Sequence, residues 1–95
     1  MLEVNSERAM RKLIASTFAG SSSLWLYLDN QLVMQNSDNL TMELGDDEGY
    51  AVHWFVSGTP GSSYSITISS PKAAQFQLTK AIDKTGKDSG GFQFR

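Results

Sequence analysis

Ser63-Tyr64-Ser65-Ile66-Thr67-Ile68-Ser69 is the stretch that decides the fold. Tyr64, Ile66 and Ile68 stand at every second position, with hydroxyl residues between them. Two residues is the side-chain period of an extended strand, whereas a helix repeats about every 3.6. Such a strand lays one face on a core and turns the other to water, as in antiparallel sheets. The same alternation recurs on both sides of it. Leu40, Met42 and Leu44 alternate with Thr41 and Glu43; Tyr50, Val52, Trp54 and Val56 alternate with Ala51, His53, Phe55 and Ser57. Phe76 and Leu78 are set among Gln75, Gln77 and Thr79, and Phe92 and Phe94 flank Gln93.

Turn residues separate these runs. Asp29-Asn30 divides Leu24–Leu28 from Leu32–Met34 and reads as a tight hairpin, because both side chains tolerate positive φ. Thr59-Pro60-Gly61-Ser62 suits a type II turn, with Pro fixing φ at the second position and Gly accepting positive φ at the third. Asn36–Asn39 and Gly45–Gly49 read as turns, and Pro71 ends a strand. Thr85-Gly86-Lys87 and Ser89-Gly90-Gly91 are expected to break the last segment. The outcome is roughly seven strands ~8–14 residues apart, the spacing of a sandwich or small barrel. The expected fold is all-β: a small antiparallel two-sheet sandwich of immunoglobulin-like or related topology. Near the N-terminus, Met10, Leu13, Ile14, Thr17 and Phe18 also fit a helical stripe capped by Asn5 or Ser6. A strand is favoured there, since it completes a sheet in an otherwise all-β chain.

Leu28-Asp29-Asn30 followed by Gly49-Tyr50-Ala51-Val52 resembles the rhythm of small bacterial β-sandwich accessory modules. The resemblance covers a minority of the chain and rests on turns that many sandwiches share.

The chain has 95 residues, enough for one domain, with residues 1–9 expected to form a loosely attached N-terminus. Hydrophobic residues at 40% and charged residues at 19% describe a globular chain. The formal charge of −2 offers no basic surface for nucleic acid, which is not an expected partner. Charge is uneven, because no Lys or Arg lies between Lys12 and Lys72. With no cysteine there is neither a disulfide scaffold nor a thiolate metal site. No apolar run approaches the ~20 residues of a membrane span, and the acidic start lacks the bases of a signal peptide. Compartment is left open.

Few residues suggest chemistry. His53 is the sole histidine. A hydrolase-type reading would need a carboxylate and a nucleophile beside it. Zinc would need further nitrogen or sulfur ligands. Asp46-Asp47-Glu48 and Asp83–Asp88 read as solvated acidic turns without the convergent spacing calcium requires. Glu43 is the only acid within a strand pattern and has no partner by spacing. Asn39-Leu40-Thr41 matches the glycosylation triplet with no secretory signal to support it. No catalytic residue, metal or cofactor is assigned, and the chain reads as a non-enzyme.

The anomaly is Leu24-Trp25-Leu26-Tyr27-Leu28, which is apolar on both faces. If the leucines face the core, Trp25 and Tyr27 lie outside, and His53 and Phe55 oppose the core face of their own strand. Trp25, Tyr27, His53 and Phe55 are therefore the candidate binding residues. An aromatic patch on an outer sheet face calls for cover. Three covers are expected in descending order: the N-terminal segment or a loop, a protein partner or second copy, and sugar rings stacked on the aromatics. The functional expectation is a non-catalytic interaction module that binds a protein or itself through a sheet face. A carbohydrate-binding module is the alternative, and a small hydrolase using His53 is third.

Overall fold

The computed structural model describes residues 11–45 and 48–95. Its eight strands are β1 (Arg11–Phe18), β2 (Ser23–Leu28), β3 (Gln31–Gln35), β4 (Asp38–Leu44), β5 (Tyr50–Ser57), β6 (Ser63–Ser70), β7 (Phe76–Ala81) and β8 (Lys87–Phe94). One 3-10 turn, Lys72–Ala74, joins β6 to β7. The strands form two antiparallel four-stranded sheets, β4-β1-β6-β7 (sheet A) and β3-β2-β5-β8 (sheet B). The two sheets pack as a β-sandwich. Among the described residues no helix is long and apolar enough to cross a membrane.

Alternation sets which residues meet between the sheets. Leu24, Leu26 and Leu28 of β2, Val52, Trp54 and Val56 of β5, and Tyr64, Ile66 and Ile68 of β6 are all buried. Fully burying a residue such as Leu or Ile is worth about 1.5–3 kcal/mol, so these three strands supply much of the core. Phe76, Leu78 and Phe92 pack against it, half-buried.

The N-terminal stretch is a strand from Arg11 onward, as the all-β pattern favours. Leu13, Ala15 and Thr17 point inward, and Ile14 and Phe18 of the alternative helical stripe are turned out to water. Residues 1–9 and Met10 lie outside the described residues, as do Asp46 and Asp47 of the acidic turn. The rest of that turn is held from β1: the Arg11 guanidinium donates to the carbonyls of Gly45 (2.8 Å) and Glu48 (3.0 Å).

The expected break at Ser89-Gly90-Gly91 does not occur. β8 runs through all three residues, paired with β5 from Ser57↔Lys87 to Tyr50↔Phe94 without a register shift. The glycines are there for space. A Cβ on Gly90 would stand 2.5 Å from Cζ2 of Trp54, and one on Gly91 would stand 2.7 Å from the Val52 carbonyl oxygen.

The turns at Asp29-Asn30 and Thr59–Ser62 form as read, whereas Asp38 and Asn39 of the expected Asn36–Asn39 turn already belong to β4, which narrows that turn to Asn36-Ser37. Asp29 (φ 51°) and Asn30 (φ 68°) make the two-residue link between β2 and β3. Gly61 (φ 90°) completes the turn at Thr59–Ser62, where the Ser62 N–H donates to the Thr59 carbonyl at 3.0 Å. Asn36 (φ 62°) turns the chain from sheet B to sheet A. Its N–H donates to the Leu24 carbonyl at 2.7 Å, and its side-chain oxygen accepts from the Leu24 N–H at 3.1 Å.

Candidate functional site

The four candidate residues are brought together on the outer face of sheet B. β2 and β5 are neighbours, and their register sets Trp25 beside Phe55 and Tyr27 beside His53. Each row continues outward: Gln35-Trp25-Phe55-Ser89, and Leu32-Tyr27-His53-Gly91. Phe55 is 50% exposed and Leu32 44%, while Trp25, Tyr27 and His53 are half-buried. Leu32 joins the patch because β3 shifts register opposite Leu26 and Tyr27. Alternation alone could not find it, since the shift depends on how two strands pair.

The described part of the N-terminal segment, β1, does not supply the expected first cover. β1 lies inside sheet A, between β4 and β6, and does not reach this face. A strand with its inward face buried is more stable paired on two sides than laid across another sheet.

The rings cover one another instead. Tyr27 and His53 are parallel, with centroids 4.9 Å apart and 5° between planes. Phe55 stands edge-on to both, at 6.0 Å from Tyr27 and 5.6 Å from His53. Such pairs add about 0.5–1.5 kcal/mol beyond area burial. The mutual stacking of Tyr27 and His53 occupies ring faces that a sugar would need. The neighbours of His53 are rings, and among the described residues no carboxylate hydrogen-bonds to it. Nor, among the described residues, do His, Asp and Glu side chains gather there as a metal ion would require.

An open depression of about 500 Å³ lies at one end of the face, lined by Trp25, Phe55, Ser57, Asp83, Lys87 and Ser89 among others. Asp83 was legible only as part of an acidic turn. Its Oδ1 accepts from the Thr85 hydroxyl and from the Thr85 N–H at 2.8 Å, and these bonds hold the carboxyl below the usual carboxylate range.

The outer face of sheet A is a different surface. Its row Asn39-Ser16-Thr67-Gln77 is uncharged and polar, with Ile14 and Phe18 as single exposed apolar residues. Scattered singles of that kind are ordinary; a contiguous aromatic cluster is not.

No protein-family model, curated protein or solved structure matches the chain. The resemblance over Leu28–Asn30 and Gly49–Val52 therefore stays a likeness of turns.

Proposed function

We propose that the domain is a non-catalytic interaction module that docks a protein partner on the outer face of sheet B. One observation carries the reading: Trp25, Tyr27, His53, Phe55 and Leu32 form one contiguous apolar centre in strand register, rimmed by Gln35, Ser57, Ser89 and Gln93. An apolar, aromatic-rich centre within a polar rim is the anatomy of protein interfaces. The ring packing of His53, with no carboxylate among the described residues to orient it, supports binding over hydrolysis.

A photo-crosslinking residue at Phe55, compared with one at Thr67 on the opposite face, tests this in the cell of origin. Protein adducts from Phe55 alone, abolished by Trp25→Glu in a chain that still folds, are expected. Equal adducts from both faces, or none from Phe55, would overturn the reading.

The carbohydrate alternative draws on the depression beside Trp25, where aromatic walls meet the Asp83 carboxylate, Lys87 and two serines. A shift of Trp25 emission on adding neutral oligosaccharides, with no protein adducts, would put sugar in place of protein.

A further inference from the structure

Among the described residues the two sheets have four edges: β4 and β7 in sheet A, β3 and β8 in sheet B. Exposed edges invite pairing, and proteins usually blunt them with charge, proline, bulges or shortness. Three of these edges are blunted. β4 carries Asp38 and Glu43, β7 carries Lys80, and β3 is five residues long with a register shift in its pairing. β8 is eight residues long, pairs with β5 without a shift, and confines its charges, Lys87 and Asp88, to one end, leaving Ser89 to Phe94 uncharged.

The hydrogen-bond pattern shows which groups this edge leaves open. Opposed residues in an antiparallel ladder alternate between pairs that exchange hydrogen bonds and pairs that do not. The N–H and carbonyl of Ala51 both turn away from β8: the N–H donates to Asp29 Oδ1 (2.8 Å), and the carbonyl accepts from the Asp29 N–H (2.9 Å). Ala51↔Gln93 is therefore a non-exchanging pair, and so, two residues on, is His53↔Gly91. No described strand pairs with this edge, and the N–H and carbonyl groups of Gly91 and Gln93 point out of it. The Ser89 N–H points the same way, but the Asp88 carboxylate satisfies it at 2.9 Å.

We propose that two copies of the domain join edge to edge along β8, antiparallel about a two-fold axis at Phe92, making one continuous sheet from both copies of sheet B. In that register Gly91 lies opposite Gln93 of the second copy, and the reverse. All four open N–H groups of the pair then meet open carbonyls. Centring the axis on Gly91 instead would set Lys87 opposite Arg95 and oppose the already satisfied Ser89 N–H to Gln93. Phe92, half-buried against Phe76 (4.9 Å between centroids), falls opposite its own copy. That position does not exchange hydrogen bonds, so its side chains approach most closely. A two-fold axis normal to the sheet keeps both aromatic faces on one side. The dimer presents two patches on one surface, separated by the low strip of Ser89, Gly91 and Gln93. The pairing goes beyond the docking reading and does not depend on it.

Sedimentation equilibrium and amide exchange on the intact chain test the proposal. A concentration-dependent dimer is expected, with the Gly91 and Gln93 amides protected in it. Gln93→Pro removes an outward N–H that no described residue of the domain accepts. It should weaken association about tenfold or more while the monomer stays folded. The chain has no cysteine, so Phe92→Cys should form a disulfide-linked dimer under mild oxidation, and Thr79→Cys on β7 should not. A monomer at millimolar concentration would overturn the proposal. So would a dimer with unprotected Gly91 and Gln93 amides, or no disulfide in Phe92→Cys. Protection of both amides in a monomer would assign the edge to another segment of the chain and also overturn it. Loss of the dimer with Phe55 adducts retained would separate failure of this proposal from failure of the docking reading.

Discussion

Gly90 shows how one residue is set by a partner distant in sequence. It stands opposite Trp54, and the indole fills the volume its side chain would take. Gly90→Ala should cost about 1–3 kcal/mol, the range for forcing an extra carbon into a packed core. Urea unfolding followed by Trp54 fluorescence measures it, with Ser89→Ala as a near-neutral control. An Ala variant as stable as the parent would mean that the indole lies elsewhere. Asp29 likewise has two tasks, taking up positive φ in the hairpin and bonding both backbone groups of Ala51. Its neighbours in sequence announce the first task and say nothing of the second. His53 could be placed on the outer face from alternation. Its stacking on Tyr27 could not, since that depends on which strand lies alongside.

At the scale of the strand, alternation was the reliable guide. β5 divides its residues as the pattern required, with Val52, Trp54 and Val56 buried and Phe55 on the other side. Trp54→Ala should therefore cost about 3–5 kcal/mol and Phe55→Ala, which loses two edge-on ring contacts at the surface, only about 1–2 kcal/mol, although the two are adjacent in sequence. Denaturant midpoints of the two variants read the register directly. Equal costs would mean both faces of β5 are covered. β8 was the strand least legible in advance. Gly-Gly reads as a break because glycine has no side chain to pack and a large backbone entropy to lose. Here a bulky neighbour takes the space, and the ladder to β5 continues through it.

At the scale of the whole molecule, a polar contact ties the two sheets at one end. The Tyr64 hydroxyl on β6 donates to the Asp88 carboxylate on β8 at 2.6 Å, and Lys80 on β7 approaches the same carboxylate at 3.2 Å. Burial alone would push the Asp88 carboxyl up. The hydrogen bonds from Tyr64, Lys80 and the Ser89 N–H outweigh it and hold the group below its ordinary range. The Tyr64 hydroxyl is pushed up to about 12, first by burial and then by its bond to Asp88. The signs follow from linkage. Asp88 favours the folded state above the ordinary carboxylate range, and that contribution is lost as pH falls through its depressed value. Tyr64 favours it below the ordinary tyrosine value of 10.0, and that contribution is lost as pH rises toward about 12. Tyr64→Phe should cost about 1–3 kcal/mol at neutral pH. It should also flatten the acid limb of the stability profile, because Asp88 then titrates closer to its unfolded value, and remove the Tyr64 part of the alkaline limb. Thermal melts across pH check all three, and an unchanged acid limb would mean the Tyr64 bond does not hold Asp88 down. By itself, the sequence determined the all-β class, the inward and outward faces of most strands, and the aromatic residues left on an outer face. Those properties follow from side-chain period and turn chemistry, which are local. Only the tertiary structure decided that β1 is an inner strand of sheet A, that Leu32 and Gly91 join the aromatic rows, and that β8 is a smooth open edge. Each of these depends on pairing between segments far apart in the chain, and a strand's pattern records which face is buried without recording its neighbour.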